Sequence, residues 1–245
     1  MLRRTEGIVL RTIPYGEADL IVTYLTPDFG ILKVFAKGPR KFKSCFGSSL
    51  EPLTQAGISF WGKEDASLPR LTQSDIINSF QPLRERLSCF LRISEILELT
   101  VSFLPERDVN RKAYSLLLNT LLALLAGQNE TLLSLSYKIR LLQLVGFAPG
   151  VNSCGRCGKR GHTFYLAQGS VMCEKCAQGV DSPHRISPSS AKLYADLLTW
   201  DLMKMSRIKP SVSLVSELSD LLAMHTRYIL SKSLKSEAFA VAPAQ

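Results

Sequence analysis

Four of the six cysteines in the 245-residue sequence form two closely spaced pairs. Cys154 and Cys157 enclose two residues, Cys173 and Cys176 enclose two more, and 15 residues separate the pairs. This spacing matches a zinc template in which each tight turn directs two sulfurs at one ion. Four sulfur ligands leave no coordination position for water, so the sequence predicts one structural zinc ion that does no chemistry.

The same cysteine pattern has alternatives. A redox pair or a disulfide framework would use the same residue type, but two pairs at this spacing in a chain that we expect to be cytosolic favour a metal. His162 lies between the pairs and could replace one cysteine as a ligand. We expect Cys45 and Cys89, which lie elsewhere in the sequence, to be surface or core thiols.

Positive charge is concentrated in two segments of a sequence whose formal net charge is +9. The first contains five basic residues and no acidic one, namely Lys33, Lys37, Arg40, Lys41 and Lys43. The second surrounds the cysteines and includes Arg156, Lys159 and Arg160. A charge excess of this size favours a polyanionic partner, and basic side chains in a loop bind phosphates without sequence preference. We therefore predict that both segments bind nucleic acid, with a solvated face as the alternative for the first.

Aromatic residues accompany the first basic segment. Phe35, Phe42 and Phe46 could stack on bases, as aromatic side chains do in proteins that bind single strands. Core packing is the alternative for each of them, and the alternation of its strand favours core packing for Phe35.

No set of residues in the sequence matches an active site. Gly57 to Lys63 resembles the start of a phosphate-binding loop, but Phe60 and Trp61 fill that loop, and Glu64 stands where serine or threonine is needed. A zinc deaminase requires a His-x-Glu element, and none of the three histidines has glutamate at that spacing. We therefore expect a binding protein and not an enzyme.

Composition places the chain among ordinary globular proteins. Its residues are 46% hydrophobic and 21% charged, which excludes disordered and collagen-like classes. The most apolar stretch, residues 113–127, contains Asn119 and falls short of the about 18 apolar residues of a membrane span. The apolar run after Arg4 is too short for a signal peptide. We expect a cytoplasmic protein with neither a membrane partner nor a small-molecule substrate.

Five short β-branched segments, separated by turn residues, occupy the first 80 residues. The predicted strands cover residues 6–13, 20–25, 31–37, 54–61 and 71–80. Five short strands in one unit are typical of a small barrel, and barrels of the OB type bind nucleic acid on one face and in their loops. A five-stranded SH3-like barrel fits the same pattern.

From residue 81 onward, apolar residues recur at the three- and four-residue steps of helices. Predicted helices cover about 81–104, 111–126, 130–145, 187–203 and 213–236. The second of them is apolar almost all round, which predicts the buried centre of a bundle. The sequence thus predicts an α+β protein, with an N-terminal OB-type barrel (residues 1–80) and a helical domain (81–245) that contains the zinc loop (151–186).

Several segments of the sequence resemble the bacterial RecO family of recombination mediators. Near the N-terminus the resemblance rests on residues 6–12 (EGIVLRT), 15–19 (YGEAD), 25–30 (LTPDFG) and 36–41 (AKGPRK). It continues at residues 138–149 (KIRLLQLVGFAP), which lead into the first cysteine pair, and at 228–230 and 234–236 near the C-terminus. Each piece is weakly specific, but the ordered set covers nearly the whole chain.

The resemblance implies a fold, an activity and partners. The fold is an N-terminal OB barrel and a helical domain that bears a zinc site. The activity is binding to single- and double-stranded DNA, ATP-independent strand annealing, and help in loading the RecA recombinase onto DNA coated by single-strand binding protein. The implied partners are RecR and the C-terminal tail of single-strand binding protein. Some members of the family lack the zinc cysteines, so the shared activity does not require the metal.

Two other functions stay open from the residues alone. An RNA-binding or transcription-associated zinc-knuckle protein would have the same basic segments, because a loop that binds phosphates does not distinguish DNA from RNA. A zinc-dependent hydrolase with an unrecognised active site is the third possibility.

Overall fold

The computed structural model describes residues 1–40, 46–63, 66–180 and 182–236. The chain divides into two compact units, Met1–Leu121 and Leu122–Gln245. The predicted domain boundary after residue 80 divides the chain differently, between the barrel and the first helix, and it stays a prediction. Within the described residues, none of the helices combines the length and the apolar character needed to cross a membrane.

Five strands of the first unit close into a barrel. They are β1 (Leu2–Tyr15), β2 (Asp19–Thr26), β3 (Gly30–Ala36), β4 (Gln55–Trp61) and β5 (Arg70–Asn78). Their order around the barrel is β1-β2-β3-β5-β4, and β1 pairs with both β2 and β4. Every pair is antiparallel except β3 with β5. This arrangement confirms the predicted OB-type barrel and the positions of its five strands.

Alternation of apolar side chains explains the barrel's core. Val22, Tyr24, Leu32 and Val34 point inward from β2 and β3 and are fully or almost fully buried. Phe46, which follows β3 in the sequence, also lies in this core and is 6% exposed. Of the two possibilities for Phe46, core packing is therefore the one that the structure shows, because its ring lies in the barrel interior.

Three helices follow the barrel, namely α1 (Gln81–Arg84), α2 (Leu87–Phe103) and α3 (Arg111–Leu125). Polar contacts join them to the barrel. The Arg84 guanidinium donates to the carbonyl oxygen of Pro52 at 2.8 Å and to the Thr54 hydroxyl at 2.7 Å. The Gln55 amide donates to the Tyr114 hydroxyl of α3 at 3.3 Å. The barrel and the helices up to residue 121 thus form one compact unit.

The second unit contains α4 (Glu130–Leu144), α5 (Pro188–Thr199) and α6 (Val212–Leu230). Ser187 accepts a hydrogen bond from the Ser190 amide at 3.1 Å, and Pro188 takes the first helical position, as the sequence predicts. The predicted helices 187–203 and 213–236 are shorter in the structure. The first ends before a 3-10 turn at Leu202–Arg207, and the second ends at Ser231, whose φ is +53°.

The prediction that α3 is buried is confirmed for one face, where Leu116, Leu117, Leu121 and Leu124 are at most 8% exposed, but the helix is not buried all round. Leu122 and Leu125 of α3 are 39% and 40% exposed, whereas every side chain from Leu132 to Tyr137 in α4 is buried. Ser134 and Ser136 interrupt the apolar pattern of α4, so the sequence does not indicate that this helix is buried. Ser136 is fully buried, and its hydroxyl donates to the Leu197 carbonyl oxygen at 2.8 Å, so the buried polar group has a hydrogen-bond partner.

Candidate metal centre and nucleic-acid interface

The four paired cysteines lie in turns around a small sheet of three-residue strands. These strands are β6 (Thr163–Tyr165), β7 (Ser170–Met172) and β8 (Pro183–Arg185). The sheet order is β7-β6-β8, and both pairs are antiparallel. The first cysteine turn precedes β6, and the second begins directly after β7. Because β6 and β7 are antiparallel, both turns lie at the same end of the sheet.

The sulfurs of Cys154, Cys157, Cys173 and Cys176 all lie within 4.8 Å of one another. The Sγ atoms of Cys157 and Cys173 are 3.6 Å apart. A tetrahedral ion bound at about 2.3 Å from each sulfur would separate the sulfurs by about 3.8 Å, so the cluster has the dimensions of a four-thiolate site. Among the described residues, it is the one group of three or more His, Cys, Asp or Glu side chains close enough to share an ion.

Backbone amides stabilise negative charge on the sulfurs. Hydrogen bonds from the amide of Cys173, and from those of Cys157 and Arg156, lower the pKa of Cys154 to about 6. The Cys176 amide lowers the pKa of Cys173 in the same way. The neighbouring thiols of Cys157 and Cys173 instead raise the pKa of Cys176 to about 12. A dication bound between the sulfurs would favour the thiolate form of all four cysteines.

Two glycines allow the segments around the cluster to approach closely. The Gly155 amide donates to the Val171 carbonyl oxygen at 3.0 Å, and a Cβ at this position would overlap the Ser170 side chain. A Cβ at Gly161 would lie 2.6 Å from the carbonyl carbon and oxygen of Met172, the residue before Cys173. Backbone atoms cannot move aside as a flexible side chain can, so a side chain at position 161 would force the segment after Cys157 away from the segment that leads into Cys173.

Replacing Gly161 by alanine is therefore expected to lower the affinity for zinc by about tenfold or more, although all four cysteines remain. Changes to the groups that surround metal ligands commonly lower metal affinity by about this factor. The measurement is competition for zinc with a chromophoric chelator. Gly57→Ala is a matched control, because a Cβ at Gly57 meets nothing closer than 4.0 Å, from the Ile77 side chain. Equal zinc affinity in the two variants would show that the close approach at Gly161 does not position the cluster.

The other candidate ligands lie outside the cluster. Cys89 is a fully buried thiol of α2, which confirms the prediction of a core or surface thiol, whereas Cys45 lies outside the described residues. His162 is exposed and is not among the clustered side chains. Four cysteine sulfurs thus complete the set without a histidine.

The predicted basic residues near the cysteines occupy different surroundings. Arg156, Lys159 and Arg160 are all exposed. The Arg156 guanidinium donates to the Cys176 carbonyl oxygen at 3.3 Å, so it braces the second cysteine turn. Lys159 and Arg160 instead line a cavity of about 500 Å³, together with Lys175. Binding of all three predicted residues to nucleic acid stays a prediction.

The first basic segment begins on β3 and continues into the turn after it. Lys33 forms an ion pair with Glu106, so its charge is partly neutralised within the unit. Lys37 and Arg40 are exposed. Their turn rests on the β1–β2 hairpin, since the Gly38 amide donates to Asp19 Oδ1 at 2.7 Å and the Arg40 amide to the Ala18 carbonyl oxygen at 3.2 Å. Lys41, Lys43 and Phe42 lie outside the described residues. The predicted nucleic-acid contacts of this segment stay predictions.

Sequence reasoning missed a second aromatic and basic surface on the barrel. Trp61 at the end of β4 is 61% exposed, and its register partner on β5 is the exposed Arg70. Arg70 pairs in turn with the half-buried Phe35, whose ring lies edge-on to Tyr15 with centroids 5.8 Å apart. Register partners project from the same face of a sheet. The signal in the sequence is a tryptophan beside Gly62 and Lys63, in the segment that resembles the start of a phosphate-binding loop.

Both parts of the chain match family models. The model described as Recombination protein O N terminal matches residues 1–80, and Recombination protein O C terminal matches residues 84–238. The chain is similar to "DNA repair protein RecO" of Thermodesulfovibrio yellowstonii, with 44% identity over 92% of each chain. It is similar to proteins of the same name from Syntrophus aciditrophicus (32% identity, 95% and 93% covered) and Salinibacter ruber (33% identity, 92% and 87% covered). These matches over nearly the whole length show that the chain belongs to the RecO family of DNA repair proteins.

Proposed function

We propose that this protein is a recombination mediator that binds single- and double-stranded DNA during repair in the RecF pathway. It anneals complementary strands without ATP and helps to load the RecA recombinase onto DNA coated by single-strand binding protein. The observation that best supports this function is the match of both family models, in chain order, over residues 1–80 and 84–238. The similarity to proteins named DNA repair protein RecO favours DNA over RNA as the partner.

Zinc is the metal that best fits the cysteine cluster. Thiolate ligands select soft or borderline ions, and a closed tetrahedral set of four is typical of structural zinc. The sulfurs of Cys154, Cys157, Cys173 and Cys176 would hold one zinc ion with no position left for substrate. The ion therefore stabilises the two cysteine turns, and the protein acts by binding rather than by catalysis.

Annealing requires two strands to approach although their phosphates repel one another. Cations on the protein surface screen this repulsion while they hold the strands. The turn containing Lys37 and Arg40 supplies one group of exposed cations, and the cavity lined by Lys159 and Arg160 supplies another. The exposed ring of Trp61 offers a surface on which bases can stack.

The partners and location proposed for the protein follow from its family. RecR and the C-terminal tail of single-strand binding protein are the direct protein partners, and RecA is an indirect one. The protein works in the cytoplasm, in association with the nucleoid.

The wild-type protein is expected to accelerate annealing of complementary oligonucleotides without ATP. The measurement is the rate of fluorescence quenching as two labelled strands pair.

Neutralising one basic segment should lower the annealing rate more than it lowers DNA occupancy, because each strand needs its own cations. One variant replaces Arg40, Lys41 and Lys43 together, and the other replaces Arg156, Lys159 and Arg160 together. The matched control replaces three exposed lysines outside both segments, Lys112, Lys192 and Lys209, by alanine.

Three results would contradict parts of this proposal. Absence of annealing by the wild-type protein would exclude the mediator activity. If the annealing rates of the variants fall only in proportion to their DNA occupancy, one basic segment is sufficient for annealing. Stronger binding to RNA than to DNA in competition would favour the RNA-binding alternative.

A further inference from the structure

One end of the small sheet collects residues from three separate segments. β6 is antiparallel to both β7 and β8, so its beginning lies beside the ends of the other two strands. Thr163, the first residue of β6, pairs with Met172 on β7 and with Arg185 on β8. With strands about 4.8 Å apart, the three span about 10 Å at this end. The segments before β6, after β7 and after β8 therefore meet on one side of the second unit.

Two cavities at this end adjoin each other. The first, of about 500 Å³, is lined by Lys159, Arg160 and Lys175, among others. The second, of about 510 Å³, is lined by Arg185 and by residues that follow it. His162 and Thr163 line both cavities. Together the two cavities form a groove, which we name the β6 groove, across the beginning of β6.

The charge of the β6 groove favours an anion. Its lining contains four exposed cations: Lys159, Arg160, Lys175 and Arg185. Two acidic residues, Glu174 and Glu217, also line it. The Glu217 carboxylate accepts hydrogen bonds from the Ser187 amide at 2.6 Å and from the Ser187 hydroxyl at 2.9 Å, so its negative charge is already shared with local donors.

We propose that the β6 groove binds the phosphate backbone of one DNA strand. The proposal rests on the proposed function, and it adds Lys175 and Arg185 to the binding residues while leaving out Arg156, which lines neither cavity. Several cations across about 10 Å of sheet suit a chain of phosphates better than one small anion.

The lining of the groove also determines which part of the strand it contacts. Tyr165 is the one phenyl-type ring among the residues that line the two cavities, and it is 7% exposed. The exposed imidazole of His162 is thus the one accessible aromatic ring in the lining of the groove, whereas Trp61 and Tyr15 on the barrel are larger rings that are more than half exposed. The groove therefore offers mainly cations for phosphates and little surface for stacking of bases.

The test uses the full-length, metal-loaded protein and an oligo(dT) strand. Lys175→Gln combined with Arg185→Gln removes two cations of the groove, and Lys192→Gln combined with Lys209→Gln removes two exposed cations outside it. Binding is measured as a function of salt concentration. Each phosphate contact to a single strand contributes about 0.7 to the slope of log affinity against log salt, so the groove pair should flatten the slope by about 1.4 and the control pair should leave it unchanged.

A second double variant of the groove controls for a disturbance of the metal site by the change at Lys175, which lies between Cys173 and Cys176. Lys159→Gln combined with Arg185→Gln should flatten the slope by the same amount, and unchanged zinc content should confirm that the cysteine turns are intact. If wild-type protein binds and anneals DNA but both groove pairs match the control, the groove proposal is wrong and the mediator function stands. If wild-type protein binds no DNA, the proposed function fails as well. Groove variants that lose binding to an acidic peptide but not to oligo(dT) would assign the groove to a protein partner and overturn the proposal.

Discussion

Replacing Cys173 by serine is expected to abolish stable metal binding and to loosen residues 151–186, while the helices of the second unit stay folded. Removal of groups that merely support a metal ligand lowers affinity by about 10–100-fold, and removal of a ligand itself should exceed that range. The core beside the cluster is small, since it consists chiefly of Tyr165, Met172 and a few half-buried neighbours. A core of this size cannot offset the conformational entropy of the surrounding loops without the ion.

The helices of the second unit have apolar contacts of their own. Every side chain of α4 from Leu132 to Tyr137 is buried, so we expect this helix to stay folded without the ion. The measurements are zinc content after purification without chelator and amide hydrogen exchange along the chain. Exchange should accelerate in residues 151–186 and remain slow in α4. Cys89→Ala, which alters a buried cysteine outside the cluster, should retain the wild-type zinc content.

Two outcomes would contradict this expectation for Cys173→Ser. Full zinc content in the variant would show that three sulfurs suffice or that another ligand completes the site. Unfolding of α4 together with the loop would show that the ion stabilises the whole unit and not only the cysteine turns.

The variant with alanine at positions 40, 41 and 43 is expected to lose much of its affinity for single-stranded DNA and much of its salt dependence. Three phosphate contacts at about 0.7 each would flatten the slope of log affinity against log salt by about 2. If the variant and the wild-type protein bind DNA equally near 1 M salt, a slope difference of about 2 corresponds to a roughly hundredfold lower affinity of the variant at about 0.1 M salt. Arg40 is suited to such a contact because its side chain is exposed while its amide is hydrogen-bonded to Ala18.

The measurement is fluorescence anisotropy of a labelled strand over a range of salt concentrations. The control triple of Lys112, Lys192 and Lys209 removes the same net charge outside the turn and should leave the slope near its wild-type value. An unchanged slope in the 40, 41 and 43 variant would mean that these side chains form a solvated surface and that the strand binds elsewhere.

Local patterns made the barrel and the cysteine site predictable from the sequence. Each strand is long enough for alternation to show, and residues such as Gly30 and Gly38, whose φ values are +60° and +70°, mark the turns between them. The spacing of Cys154, Cys157, Cys173 and Cys176 specifies two turns that meet, and the structure brings all four sulfurs together.

Features that depend on distant residues were not predictable in this way. Strands β6, β7 and β8 have three residues each, too few for a periodic signal, so the convergence of Arg185 with Lys175 could not be inferred. The ion pair of Lys33 joins residues 73 positions apart. The exposure of Trp61, by contrast, agrees with local alternation, because Ile58 and Phe60 of the same strand lie in the barrel core and the next residue points to the opposite face.

Neighbouring strands of the barrel differ in the number of register pairs that join them. Long ladders of register partners join β1 to β2 and β4, but β3 and β5 share the single pair Phe35 and Arg70. Thermal opening of the barrel should therefore begin between β3 and β5, where the fewest hydrogen bonds have to break. Arg70 is also the register partner of Trp61 on β4. We therefore expect the part of the barrel wall that opens most readily to coincide with the surface that carries the exposed ring of Trp61.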